Sequence, residues 1–102
     1  MGVFSPGSMI ILTLAGPREK FWGALLSIQP AGIAVCGIDL NSFDEYARLA
    51  RAGEALPTSV FFPMHRVERM ETDAPATGVT SLSEQFRAIS GANPSDIFLG
   101  AR

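Results

Sequence analysis

Residues 58–70 read TSVFFPMHRVERM, and this stretch decides the predicted fold. It starts as an apolar run of strand-forming residues and is interrupted at Pro63, which cannot donate to a strand ladder. Charged residues follow, together with the single histidine of the chain. The stretch therefore predicts a fourth strand over 58–62, a sharp bend, and a short fifth strand over roughly 66–71. A strand that bends and continues is typical of a small closed β-barrel.

The bend follows from the alternation of side chains along a strand. If Val60 and Phe62 point inward, unbroken alternation would also bury Arg66 and Glu68. Burying both charges is unfavourable unless they pair. A slip of one residue at the bend turns Val67 inward instead. The pattern thus predicts a bulge or a short turn between the two strands.

Three further strands precede this stretch. The runs 9–15, 21–29 and 33–40 are largely apolar, the first of them rich in β-branched residues, and Gly-Pro and Pro-Ala-Gly turns separate them. Gly23 and Gly37 fall opposite each other if the second and third runs form a hairpin, and the strands can then coil strongly there. Alternation assigns four residues of the second strand to one face: Trp22, Ala24, Leu26 and Ile28.

Two serines have the spacing of helix capping boxes. Ser42 is followed three residues later by Glu45, and Ser81 by Glu84. Each pair predicts the start of a helix, the first inserted between strands three and four, the second near the C-terminus. The predicted organisation is a flexible leader over 1–8, a barrel over 9–71 with a helix insertion at 42–53, a loop over 72–80, and a C-terminal helical extension over 81–102.

Composition restricts the class of protein. Apolar residues make up 47% of the 102 residues and charged residues 18%, which excludes intrinsic disorder and fits one domain. The low charged fraction predicts a surface partly buried against copies of the same chain. The net charge of −2 lacks the basic excess of a dedicated duplex-DNA binder.

Cysteine usage and hydropathy bear on the compartment. Cys36 is the single cysteine, so an internal disulfide framework is excluded. No run has the pattern of a signal peptide or approaches the ~20 apolar residues that span a bilayer. We expect a soluble, cytoplasmic protein with no membrane partner.

Two short runs carry a resemblance to a known family. Residues 23–29, GALLSIQ, are similar to the first motif of the Sm-like family, and residues 62–67, FPMHRV, to the second motif of its bacterial Hfq branch. The resemblance covers residues 9–71. Gln29 stands where the family has an acid, and Met64 where it has a basic residue.

The resemblance implies a strongly bent five-stranded Sm-like or SH3-like barrel, an α+β fold with the helix insertion and the C-terminal helix added. It implies that strand four of one subunit pairs with strand five of the next, so that five to seven copies close a ring. It also implies single-stranded RNA at the inner rim. His65 carries over to this chain by position, and Arg66 is its basic neighbour.

Basic side chains supply further candidates for phosphate contact. Arg18 and Lys20 flank a turn beside Phe21 and Trp22, and basic groups next to aromatic ones are typical of sequence-tolerant single-strand binders. The candidate nucleic-acid residues are His65, Arg66, Arg69, Arg18 and Lys20. The candidate residues of the oligomer interface are Val60, Phe61, Phe62, Val67 and Met70.

Each basic candidate also has a purely structural interpretation. His65 also fits a turn histidine whose imidazole is satisfied by backbone groups. Arg66 and Arg69 have acids beside them in sequence, which fits a solvated strand with ion pairs or a contact between subunits. Arg18 and Lys20 fit a solvated turn.

Catalytic and cofactor patterns are weak. Cys36 and His65 form a conceivable nucleophile and base, but no third group in the sequence orients them. We therefore predict a protein that is not an enzyme and has no cofactor or metal. The first hypothesis is a non-catalytic Sm-like homo-oligomer with weak single-stranded RNA binding. The alternative is an SH3-like protein-interaction or scaffold module that contacts a partner through residues 97–99 or through the helix that carries Phe43.

Overall fold

Alternating and continuous apolar runs fold into one antiparallel sheet, and the capped amphipathic segments fold into helices on one side of it. The computed structural model describes residues 4–100. The strands are β1 Met9–Leu14, β2 Glu19–Gln29, β3 Gly32–Asp39, β4 Ser59–Pro63 and β5 Val67–Thr72. The helices are α1 Phe43–Arg51, α2 Leu82–Ser90 and α3 Pro94–Phe98, and 3₁₀ turns occupy Leu40–Ser42 and Met64–Arg66.

The strand order across the sheet is β4-β3-β2-β1-β5. The predicted α+β class and the predicted five strands are confirmed. The sheet is not closed into a barrel, because β4 and β5 are its two edges and do not pair with each other within residues 4–100. The 3₁₀ turn Met64–Arg66 joins these edges covalently in place of ladder hydrogen bonds.

The sheet is nevertheless folded back on itself, as two aromatic rings demonstrate. Phe21 on β2 lies opposite Asp39, whereas Phe62 on β4 lies opposite Ile33, six residues away along β3. In a flat sheet this offset would separate the two residues by about 20 Å. Their ring centroids are 5.1 Å apart in an edge-to-face contact. The sheet must therefore bend sharply between these two points.

Each face of the bent sheet has its own hydrophobic core. The concave face buries the inner core, which contains strand residues alone: Ile10, Leu12, Leu14, Phe21, Leu25, Ile33, Val35 and Phe62. The convex face and the three helices bury the outer core: Trp22, Ala24, Cys36, Phe43, Tyr46, Ala47, Phe86 and Phe98. The bent sheet shields the inner core from solvent, and the helices shield the outer core.

Two facing glycines permit the close approach of β2 and β3. Gly23 lies opposite Gly37, as predicted. A Cβ atom on Gly23 would collide with the Cys36 carbonyl oxygen and would lie 2.7 Å from the Gly37 Cα. No side chain fits at this crossing, so the glycines are required by packing.

An irregularity in β2 corrects one predicted face. The register with β3 shifts between Leu25 and Ser27. The shift moves Ile28 off the face that Trp22 and Ala24 share, and Ile28 is 47% exposed. Alternation alone fails here because a bulge adds one residue to the strand.

The segment preceding β1 is hydrogen-bonded to β2 at the same irregularity. The Gly7 amide donates to the Leu25 carbonyl at 2.7 Å, and the Leu25 amide donates to the Ser8 carbonyl at 2.8 Å. The second half of the predicted flexible leader is thus tied to the sheet. Residues 1–3 of that leader lie outside the described residues.

The two predicted capping boxes have different outcomes. The Ser81–Glu84 box is present in both directions at 3.1 and 2.8 Å, as predicted. The Ser42 box is wrong, because the Ser42 side chain makes no capping hydrogen bond. The chain enters α1 through a 3₁₀ turn, which leaves Ser42 at ψ 8° and out of the extended conformation that an N-cap needs. The Asp39 carboxylate caps this 3₁₀ turn instead, accepting from the Asn41 amide at 2.8 Å.

No helix in the described part of the chain is long and apolar enough to cross a membrane.

Candidate functional site

Three of the predicted basic residues converge on one open groove of 370 Å³. Arg18 comes from the β1–β2 turn, Lys20 from β2 and Arg69 from β5. Thr13 of β1 and Glu68 of β5 complete the lining. We call these five residues the basic groove.

Strand register brings the groove residues together. Lys20 lies opposite Thr13 on one side of β1, and Arg69 lies opposite Thr13 on the other. Directly opposed residues share a face, and strands are about 4.8 Å apart, so the Lys20 and Arg69 backbones are about 10 Å apart across β1. The two cations therefore flank a single threonine.

A bulge in β5 accounts for the neighbouring positions of Glu68 and Arg69. Adjacent strand residues normally point to opposite faces. Here the register with β1 shifts between Thr13 and Leu14, and Glu68 is the extra residue of β5. The bulge re-aims the Glu68 side chain, so that both residues line the same groove.

Two of the three groove cations, Arg18 and Arg69, make weak ion pairs. Arg18 Nη1 is 3.8 Å from Glu68 Oε1, and both side chains are largely in solvent. Arg69 Nη2 is 2.8 Å from Glu71 Oε2, again at the surface. Exposed pairs of this kind contribute about 0–1 kcal/mol each. The described residues offer Lys20 no ion-pair partner. An incoming anion can therefore replace Glu68 and Glu71 at little cost.

Thr13 adds a hydroxyl at the floor of the groove. The residue is 3% exposed, and its hydroxyl has no hydrogen-bond partner within residues 4–100. In that same range no fully buried side-chain polar atom lacks a partner. The Thr13 hydroxyl therefore keeps some contact with solvent, and Thr13 lines the groove.

Arg66 lies outside the basic groove and fastens the bend to the β1–β2 turn. Its Nε donates to the Ala15 carbonyl at 3.0 Å, and its Nη2 donates to the Pro17 carbonyl at 2.7 Å and to the Glu19 carboxylate at 3.1 Å. The guanidinium also lies 5.9 Å from the centre of the Phe62 ring. These contacts give Arg66 a structural role, but with Glu19 and the β1–β2 turn as partners and not as part of a solvated strand. Its predicted contact with RNA stays a prediction.

His65 belongs neither to the basic groove nor to the contacts of Arg66. It is exposed on the 3₁₀ turn, and its side chain makes no hydrogen bond with any other described residue. The structure therefore divides the five basic candidates into three in the groove, one that is structural, and one free imidazole on the turn.

Four of the five candidate interface residues direct their side chains to the inner core, and one exposes its side chain. Phe62 belongs to the inner core, and Val60, Val67 and Met70 pack against it. Phe61 alone projects outward and is 50% exposed. All five residues lie on the two edge strands, so an interface here would use their backbones and the Phe61 ring.

The aromatic residues near the groove do not form a stacking platform. Phe21 and Trp22 were expected beside Arg18 and Lys20, but both are buried, in the inner and the outer core respectively. The groove lining contains no aromatic residue. The predicted combination of basic and aromatic groups is therefore wrong for this surface.

Two aromatic residues of the alternative hypothesis are also buried. Phe43 and Phe98 belong to the outer core, where each ring lies within 5.2 Å of Trp22. Leu99 is the more exposed member of the C-terminal trio. A partner would therefore not meet Phe43 or Phe98 at the surface of this fold.

Away from the groove, Cys36 and Tyr46 are the titratable residues of the outer core. Cys36 is buried in the outer core, whereas His65 is exposed on the 3₁₀ turn. Burial, and secondarily Cys36, raises the pKa of Tyr46, whose hydroxyl donates to the Leu56 carbonyl at 2.8 Å. Over residues 4–100 no three His, Cys, Asp or Glu side chains are grouped to hold a metal ion.

Sequence reasoning missed Thr13 and Glu68 as groove residues. Thr13 is the one polar side chain of the run MIILTL, and that interruption is a usable signal. Glu68 reaches the groove through the bulge, which has no clear sequence signature.

Comparison with protein-family models, curated proteins and solved structures gave no match to this chain.

Proposed function

We propose that this chain is a non-catalytic, Sm-like module that assembles into a closed homo-oligomer by pairing β4 of one copy with β5 of the next, and that the assembly binds single-stranded RNA. The observation that carries assembly is the pair of unpaired sheet edges. Their strand order and the bend between them agree with the resemblance in the sequence.

The free edge of β4 presents the backbone of Phe61. The Met64 amide donates to Ala31 at 2.9 Å, and the Gly37 amide donates to Thr58 at 3.1 Å, so even-numbered residues of β4 bond to β3. Antiparallel bonding alternates along a strand. The amide and carbonyl of Phe61 therefore point away from the sheet, where a neighbouring strand can pair with them.

The free edge of β5 presents Met70 in the same way. The Asp73 amide donates to the Met9 carbonyl at 2.9 Å, and Thr72 lies opposite Ile10. Alternation then directs the backbone groups of Thr72 and Met70 outward. One molecule thus carries two complementary edges, and head-to-tail pairing of such edges closes a ring when the rotation permits.

The side chains of β4 favour pairing over protection. Natural sheets protect exposed edges with charges or proline. β4, with the sequence SVFFP, carries no charge, and its one proline, Pro63, is the last residue of the strand. Phe61 also exposes half of its surface on this strand. An uncharged edge with an exposed aromatic ring is the kind of surface that a second copy covers.

Native mass spectrometry of the untagged protein at low salt tests assembly. We expect a single closed species of about five to seven copies, the size that the family resemblance implies. The Phe61→Pro variant removes the outward amide and no bond to β3, and should be monomeric. The Phe61→Ala variant is the matched control: it loses the ring but keeps the amide, and should assemble.

A folded wild-type monomer would overturn the assembly proposal. Equal disassembly of Phe61→Pro and Phe61→Ala would instead place the interface on the ring, and would overturn strand pairing. Circular dichroism of each variant establishes that the sheet is intact before its mass is interpreted.

The RNA part of the proposal is supported by the convergence of Arg18, Lys20 and Arg69. Fluorescence anisotropy with a labelled oligouridine tests it, because phosphate contacts give affinity that falls steeply with salt. Absence of salt-dependent binding by the assembled protein would overturn RNA binding and leave assembly standing.

A further inference from the structure

We propose that the basic groove is a phosphate-backbone site, which binds single-stranded nucleic acid without reading its bases. The inference rests on the RNA binding proposed above. It specifies where on the protein the nucleic acid binds and which groups contact it. The ligand atoms are the non-bridging oxygens of consecutive phosphodiesters.

The lining of the groove argues for a phosphate chain over a small molecule. Small-molecule sites are mostly apolar, with a few polar groups that fix orientation. All five groove residues are polar or charged. A nucleobase or sugar ring would find no apolar or aromatic side chain here, whereas a phosphate finds three cations and the Thr13 hydroxyl.

The same lining argues against base recognition. Sequence-tolerant binders that hold bases stack them on aromatic side chains. Phe21 and Trp22, the nearest aromatics in sequence, are buried in the two cores. Backbone contacts position a nucleic acid but carry no sequence information. We therefore expect similar affinity for different single-stranded sequences.

The surrounding carboxylates set the affinity of the groove. Glu19 directly precedes Lys20 in sequence, but its carboxylate pairs with Arg66 at 3.1 Å and not with Lys20. Glu68 and Glu71 make the exposed pairs with Arg18 and Arg69. These two acids compete with phosphate for the guanidinium groups. Removing the charge of either acid should strengthen binding.

The test uses fluorescence anisotropy of a labelled oligouridine against the assembled protein, over a range of salt concentrations. Single strands give a slope of about −0.7 in log affinity against log salt for each phosphate neutralised, so three cations predict about −2. Lys20→Gln should reduce affinity about two- to fivefold at low salt, the size expected for one exposed ion pair. It should also make the slope shallower by about 0.7.

Arg51→Gln is the matched control, since it removes the same charge from the exposed last turn of α1. It should leave the slope unchanged. Glu68→Gln should raise the affinity, because it frees Arg18. An oligoadenine should bind like the oligouridine, and uridine monophosphate should compete poorly at equal phosphate concentration.

Several results would overturn the inference. If Lys20→Gln and Arg51→Gln have the same effect, binding depends on net charge and not on the groove. If His65→Ala abolishes binding while Lys20→Gln does not, the RNA site lies on the 3₁₀ turn, and RNA binding itself survives. Effective competition by the monophosphate would identify a small-phosphate site. If the wild-type protein assembles but does not bind the oligouridine, both the proposed RNA binding and the proposed groove site are wrong.

Discussion

The indole nitrogen of Trp22 donates a 3.0 Å hydrogen bond to the carboxylate of Asp73, fifty-one residues further along the chain. The same carboxylate accepts from the amides of Leu82 and Ser83, each at 2.8 Å, and from the Ser83 hydroxyl at 2.6 Å. Asp73 thus fastens the start of α2 to the centre of the outer core. Trp22 is fully buried, so this hydrogen bond also satisfies the one polar atom of its side chain.

Replacing Asp73 by alanine should lower the free energy of unfolding by about 1.5–5 kcal/mol. Losing the carboxylate that accepts from the first amides of α2 costs about 0.5–2 kcal/mol. Leaving the buried indole N–H without a partner costs about 1–3 kcal/mol more. Urea denaturation followed by Trp22 fluorescence measures the change. The exposed Glu54→Ala is the control, with an expected change within about 0.5 kcal/mol. Equal stabilities for the two variants would contradict the anchoring role.

The crossing of β2 and β3 at Gly23 should tolerate no side chain. Gly23→Ala places a methyl group against the Cys36 carbonyl and the Gly37 Cα, and overpacking of this kind destabilises by about 1–3 kcal/mol or more. Gly53→Ala is an informative comparison, because it meets no atom within 4 Å but has φ +75°. It should lose only the about 1–2 kcal/mol of a left-handed alanine. Thermal unfolding ranks the two, and the reverse order would show that β2 and β3 can separate.

Arg66→Lys should destabilise the fold without weakening RNA binding through the groove. Lysine cannot reproduce the fork that joins Ala15, Pro17 and Glu19, and we expect a loss of about 1–3 kcal/mol. The exposed Arg48→Lys is the control and should be neutral. Denaturant titration gives the stability, and the anisotropy slope with salt gives the phosphate count. A reduced slope in Arg66→Lys would transfer this residue to the RNA site.

Stability should fall at alkaline pH through Tyr46. Burial raises the pKa of Tyr46 above its ordinary value of about 10, with Cys36 as a second cause. The folded protein therefore holds the phenolic proton more tightly than the unfolded chain does. This contribution is fully present below about pH 10 and is lost as the pH rises through the folded pKa.

Tyr46→Phe isolates that effect. It removes the hydrogen bond to the Leu56 carbonyl, which lowers stability by about 1 kcal/mol at neutral pH. It also removes the titrating group, so the variant should lose less stability than the wild type between neutral pH and pH above about 10. Urea titrations at both pH values measure the difference. Parallel losses in the two proteins would exclude Tyr46 as the cause.

The sequence by itself determined the elements and most of their faces. Alternation placed Val60 and Phe62 inward, and Pro63 located the bend between β4 and β5. The Ser81 capping box located the start of α2. These features were predictable because strand periodicity and capping depend on residues a few positions apart. The Ser42 box failed because a 3₁₀ turn preceded the helix, and Ile28 because a bulge shifted its register.

Only the tertiary structure decided which distant residues meet. The sheet bend brings Phe21 onto Phe62, and strand pairing places Lys20 and Arg69 on either side of Thr13. It also separates Arg66, which holds the β1–β2 turn, from the groove that Arg69 of β5 lines. The physical reason is that register and curvature come from long-range packing. Charge and side-chain type are properties of the sequence. The groove, however, exists only because β1 lies between β2, which follows it directly, and β5, which comes from a distant part of the chain.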